Sequence, residues 1–98
     1  MTEIINQVFS IQEKTTKAEI TPLQRNLDRI LYEFEQMGYQ VINPQGTVYK
    51  NEMTDVEAKI AGDLRKDSKI TKVLKPIIYK KNDTGALQLV QKGIVIVD

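Results

Sequence analysis

Cysteine, histidine and tryptophan are all absent from this chain of 98 residues. Without cysteine there is no disulfide and no thiolate chemistry, which suits a reducing compartment. Without histidine the chain lacks the commonest general base, the commonest nitrogen ligand for metals and any Ser-His-Asp triad. The two absences together remove the ligand sets of structural zinc, so no metal and no cofactor is expected. The glycines are isolated: Gly38, Gly46, Gly62, Gly85 and Gly93 never form the Gly-x-Gly pattern that opens a phosphate-binding helix. No apolar run approaches the roughly 20 residues that span a bilayer. Met1-Thr2-Glu3-Ile4-Ile5 lacks the basic start and apolar core of a signal peptide. A cytoplasmic protein with no membrane association is the expectation.

What is present is ordinary for a globular domain: 41% hydrophobic and 28% charged residues. The length leaves room for one small domain with a limited core. The net charge of +1 hides an asymmetry. Residues 1–64 carry six Lys or Arg against ten Asp or Glu, and residues 65–98 carry eight against three. Such a split can orient a partner without creating a strong overall field. Carboxylates are scattered. Asp55 and Glu57 would share one face of a strand, whereas paired-carboxylate hydrolysis needs two acids facing each other across a cleft. A Ser or Thr nucleophile would have only lysine as its base. The chain reads as a protein without enzymatic activity.

Apolar spacing places the elements. Ile4, Ile5, Val8 and Phe9 fall on one face of a short helix, extended by Ile11 and interrupted by the polar Lys14–Lys17. Thr21 and Pro22 make a helix start, as cap and first helical residue. Leu23, Leu27, Ile30, Leu31 and Phe34 then form an apolar stripe, with Arg29 and Glu33 four apart beside it. Gly38 closes the helix, where a residue at positive φ is needed. Beyond it the period changes. Val41-Ile42 is extended, and Asn43-Pro44-Gln45-Gly46 is a turn. Val56, Ala58 and Ile60 alternate with Glu57 and Lys59 as in a half-buried strand, although residues 52–65 also have helical propensity. Ile70, Val73 and Leu74 begin the next extended piece, broken at Pro76 before Ile77-Ile78-Tyr79. Asn82-Asp83-Thr84-Gly85 is a hairpin turn. Leu87–Gln91 alternates, and Ile94-Val95-Ile96-Val97 is a β-branched run that can be buried on both faces. The expected class is α+β: a helical segment over 1–38, with one helix or two, then a small antiparallel β-domain over 39–98. The last 30 residues are expected to form a single antiparallel sheet.

Two surfaces stand out as candidates for binding. Lys69, Lys72, Lys75, Lys80 and Lys81 could line one side of a sheet with Tyr79 available to stack a base. Arg65 is the only arginine in that basic third, and lysines commonly keep sheet edges from pairing, so nucleic acid is not the expected partner. The helical stripe Leu23, Leu27, Ile30, Leu31 and Phe34 either packs on its own sheet or meets a second copy in a symmetric homodimer.

The order and spacing from Leu27 onward resemble the C-terminal part of GrpE-type nucleotide exchange factors. Leu27 and Leu31 match helix leucines of that family, and the gap from Gly38 to Gly46 is kept with Ile42-Asn43-Pro44 inside it. Tyr49 stands where the family has Phe, followed by Lys50-Asn51 in place of Asp-Pro. Thr54-Asp55-Val56 stands where it has His-Glu-Ala, and Ile70, Val73 and Leu74 resemble the strand before its Gly-Tyr. Val90–Val97 resembles its closing strand, with Gln91-Lys92 in place of Arg-Pro. The likeness spans about residues 23–97, and the family's long N-terminal coiled coil has at most a stub in residues 1–20.

The resemblance implies strand structure over 54–61 and a mechanical function. In the family the β-domain wedges against a DnaK-type chaperone and lets ADP leave, so the factor must favour the open state. It implies a partner-binding surface around Tyr49, Pro76, Ile77, Tyr79, Leu89, Gln91 and Lys92, although Ile77 and Leu89 are equally open to being core residues. An interaction module of the same fold without exchange activity is the alternative, and a small basic nucleic-acid binder the third reading.

Overall fold

A computed structural model describes all 98 residues. Two helices come first, α1 (Thr2–Lys17) and α2 (Gln24–Gln36), followed by six strands. These are β1 (Tyr39–Ile42), β2 (Val56–Ile60), β3 (Ile70–Lys75), β4 (Ile77–Lys81), β5 (Leu87–Gln91) and β6 (Gly93–Val97). The class is α+β, and residues 56–60 are strand, not helix.

Helix α1 runs straight through Lys14–Lys17, where a polar interruption is expected from the sequence. The threonine hydroxyls are accommodated inside the helix: Thr15 and Thr16 both donate back to the carbonyl of Gln12, at 3.0 and 2.8 Å. The helix ends one turn later, where Ile20 N–H bonds Thr15 C=O at 2.9 Å and Glu19 takes φ 55°. Helix α2 begins at Gln24 rather than at Pro22, and Thr21 makes no side-chain cap. Its backbone enters through a tight turn in which Gln24 N–H bonds Thr21 C=O at 3.1 Å. Gly38 terminates it at φ 92°, as its position predicts.

The strands form two three-stranded sheets, not one. Sheet I has the order β1-β4-β5 and sheet II the order β2-β6-β3. All pairs are antiparallel except β2–β6, which is parallel, with Ala58 opposite Val95. The chain changes sheet twice in single-residue steps. Pro76 separates β3 from β4, and Lys92 separates β5 from β6. The two crossings touch: a Cβ on Gly93 would lie 2.9 Å from Ile77 Cγ1 and 3.4 Å from the carbonyl of Lys75. Only a residue without a side chain lets the strands pass this closely, which gives Gly93 its role.

Strand β4 is the wall between two cores. Ile77 and Ile78 point to opposite faces, as consecutive strand residues must. Ile78 joins Ile5, Val8, Leu27 and Phe34 in the cluster between the helices and sheet I. Ile77 joins Phe9, Val56, Ile70, Val73, Val95 and Val97 in the cluster between the sheets. The helical segment and the strand segment thus share a core through β4.

Candidate protein interface

The open end of sheet I is built by the β4–β5 hairpin. Asn82 shapes its turn: the side-chain Oδ1 accepts from the N–H groups of Thr84 and Ala86, each at 3.0 Å, and from the Thr84 hydroxyl at 2.6 Å. Gly85 supplies positive φ, at 85°. The register sets Lys81 opposite Leu87, Lys80 opposite Gln88 and Tyr79 opposite Leu89. Leu87 and Leu89 therefore share a face with Tyr79 and Lys81, while Gln88 shares the helix-side face with Lys80. Lys80 lies over the Tyr39 ring on that side, 5.1 Å from its centroid.

Leu87, Leu89 and Val90 are exposed at 48%, 39% and 44%. Beside them Tyr79 is half-buried, and its hydroxyl donates to Asp55 Oδ2 at 3.2 Å. Burial first, then the charge of Asp55 and the hydrogen bond to it, hold the Tyr79 phenol above its ordinary pKa. At the inner end Gln91 is locked in place: it exchanges hydrogen bonds with Asn6 of α1 at 2.8 and 2.9 Å and donates to Pro76 C=O at 2.9 Å. This amide pair ties α1 to the edge of sheet I across 85 residues of sequence. No local pattern announces it, because each partner alone is an unremarked polar residue in its own element.

Of the residues expected to bind a partner, Leu89 and Lys92 are exposed, and Tyr79 and Gln91 are half-buried at the same end of the sheet. Tyr49 lies elsewhere, half-buried against the inter-sheet core, with its N–H bonded to Ser68 C=O at 2.8 Å. Pro76 and Ile77 require correction. Both are buried, Ile77 at 3% exposure, because the crossing between sheets encloses Pro76 and strand alternation turns Ile77 into the core. Neither is available to a partner.

The helical stripe divides in the same way. Leu27 and Phe34 are buried at 5% and 6% against Ile5, Val8 and Ile78 of the same chain, and Leu31 packs on this cluster. Leu27 and Phe34 are internal and cannot carry a dimer interface, and Leu31 is half-buried between this cluster and the surface. Leu23 and Ile30 are exposed, and Met37 continues their line seven residues further on. On α1, Ile4 and Ile11 form a second exposed pair seven apart. The opposite flank of the helical pair, with Phe9, Gln12, Leu31, Tyr32 and Tyr39, lines an open groove of about 470 Å³ against β1. The two exposed lines lie on the flanks turned away from that groove.

The lysines are divided between the sheets: Lys72 and Lys75 lie on β3, with Lys69 just before it, and Lys80 and Lys81 on β4. No helix is long and apolar enough to cross a membrane. No family model matches this chain, and no curated protein or solved structure matches it either.

Proposed function

We propose that this chain is a protein-binding domain of the exchange-factor type, which binds a DnaK-type chaperone through the open end of sheet I and promotes release of ADP. The observation that carries this reading is the exposed apolar set Leu87, Leu89 and Val90, held on a hairpin whose base is fixed by the Gln91–Asn6 pair. Apolar side chains on a braced strand are suited to contact rather than to bond chemistry. The element order adds support: a helix closed by Gly38, a turn at Gly46, a strand at 56–60 and an apolar closing strand at 93–97 follow the sequence resemblance throughout. The factor acts by preferring the chaperone's open state, so its contact energy with that state sets the acceleration.

Homodimerisation belongs to the same proposal, but through Ile4, Ile11, Leu23, Ile30 and Met37 rather than through the full helical stripe. Stopped-flow release of fluorescent ADP from a DnaK-type chaperone tests the exchange activity, with sedimentation equilibrium on the same preparation for the dimer. Acceleration that rises with concentration is expected, together with a dimer mass. Unchanged ADP release at saturating protein refutes exchange and leaves an interaction module of the same fold. The departures at Lys50-Asn51 and Thr54-Asp55-Val56 favour that second reading, because Asp55 is engaged internally by Tyr79.

A further inference from the structure

Four strands lie at sheet edges, and three of them are guarded. Strand β2 carries Glu57 and Lys59. Strand β3 carries Lys72 and Lys75, has two irregularities in its register and packs against α1. Strand β1 is mostly half-buried and packs against α2. Strand β5, Leu87-Gln88-Leu89-Val90-Gln91, has no charge and no proline, and its first four residues are exposed. Charges, proline and cover are the usual means of keeping an edge from pairing. Val90 is an extra residue in the register, a bulge that confines the regular edge to Leu87–Leu89.

The hydrogen-bond pattern fixes which backbone groups are free. Asn82 N–H bonds Ala86 C=O across the hairpin at 2.9 Å, whereas Lys81 N–H turns the other way, to Gly38 C=O at 2.9 Å. Antiparallel alternation then makes Lys80–Gln88 the next bonded pair. The N–H and C=O groups of Leu87 and Leu89 point away from β4, along the open edge. Their side chains share one face with Tyr79.

We propose that β5 is a docking edge for an extended segment of a partner protein, added as a fourth strand of sheet I, with apolar residues opposite Leu87 and Leu89 and an acidic residue opposite Gln88. Charge selects this occupant. Between Ile77 and Gly93 the charged residues are Lys80, Lys81 and Lys92 against Asp83 alone. Pairing β5 with a second copy would bring two such lysine sets together, which is unfavourable. A carboxylate opposite Gln88 lies on the face of Lys80, two strand spacings or about 9.5 Å across, within reach of two long side chains. Main-chain bonds supply affinity and the alternating side chains supply selectivity.

This mode of contact rests on sheet I being the partner surface, but its test is separate from that of exchange. A fluorescein-labelled peptide of alternating Val and Glu is titrated by anisotropy against the full chain, beside one of alternating Val and Lys. Amide exchange of Leu87 and Leu89 is followed by NMR. The Val-Glu peptide is expected to bind and to slow exchange at both amides, and the Val-Lys peptide to bind at least about tenfold more weakly. Leu89→Pro removes one outward N–H and should abolish the protection at Leu87. The double variant Leu87→Lys, Leu89→Lys keeps the backbone groups but gives β5 the charge that guards the other edges, and should weaken binding of the Val-Glu peptide. Equal binding of both peptides, or binding without protection of these amides, overturns the proposal. So does concentration-dependent protection without peptide, which would assign the edge to a second copy. Failure here with accelerated ADP release leaves exchange standing, and the reverse result separates the two in the other direction.

Discussion

Sheets I and II have the same size, two edge strands around one central strand, yet they are used differently. In sheet II the central strand β6 is Gly-Ile-Val-Ile-Val, with Val95 and Val97 fully buried and Ile94 and Ile96 half-covered. Its edges carry charge. In sheet I the central strand β4 is apolar for two residues and basic for its last two, and the outer strand β5 is nearly all exposed. Sheet II therefore buries most of its apolar residues and exposes only Ile60 and Leu74, on separate strands, while sheet I exposes Leu87, Leu89 and Val90 together on one strand. The difference arises from cover: the helix-side core reaches sheet I at Tyr39, Val41 and Ile78, and the inter-sheet core reaches its other face at Ile42, Ile77 and Tyr79, but neither extends over Leu87, Leu89 and Val90. Beyond that, the β4–β5 hairpin projects without a neighbour.

The sharpest way to break this contrast is a pair of truncations read by chemical denaturation. Ile70→Ala, at 1% exposure in sheet II, should cost about 2–5 kcal/mol. Leu89→Ala in sheet I should change stability by about 0.5 kcal/mol at most, as at other exposed positions. Similar losses at both sites would mean that β5 is covered in solution. Next in size is Gly93→Ala at the crossing between the sheets. A methyl group there meets Ile77 at 2.9 Å, so about 1–3 kcal/mol should be lost, whereas Gly46→Ser, at a turn position with open space, should lose about 1 kcal/mol through backbone strain alone. A neutral Gly93→Ala would show that the two strands part easily.

The smallest effect concerns pH. Tyr79 has a folded-state pKa above its ordinary value of 10.0, so the folded chain keeps a proton that the unfolded chain has released. That contribution is fully present below pH 10.0 and is lost as pH rises through the raised folded value. Tyrosinate absorbance from Tyr79 should develop above the ordinary phenol value of 10.0, and Tyr79→Phe should flatten the alkaline limb of the stability curve. A limb identical to that of the parent would detach Tyr79 from Asp55.

Much of the fold could be read from local pattern. Gly38 and Gly46 sit at φ 92° and 88° where turn chemistry places them, and Asn82 and Gly85 make the hairpin. Arg29 and Glu33 pair at 2.9 Å as their spacing predicts, exposed and of small energetic weight. The boundaries were less legible: Lys14–Lys17 looks like an interruption, but α1 continues through it with both threonine hydroxyls satisfied by the carbonyl of Gln12. The site was legible in part. Leu89, which the sequence left open between core and surface, is exposed together with Lys92, whereas Pro76 and Ile77 are enclosed because β3 and β4 belong to different sheets.

Periodicity, turn residues and the helix stop are properties of neighbours in the chain, and the amino-acid sequence by itself determined them. It determined the amphipathic helix that Gly38 closes and most of the extended segments, while one helix or two before Gly38, and strand or helix over 52–65, stayed open. It did not determine which segments pair. The parallel union of β2 with β6, the division of β3–β6 between two sheets and the Asn6–Gln91 lock join residues far apart in sequence. Alternation specifies a face but not a partner, and the choice among partners is made by packing around Ile77, Ile78 and Gly93. Only that packing left β5 uncovered.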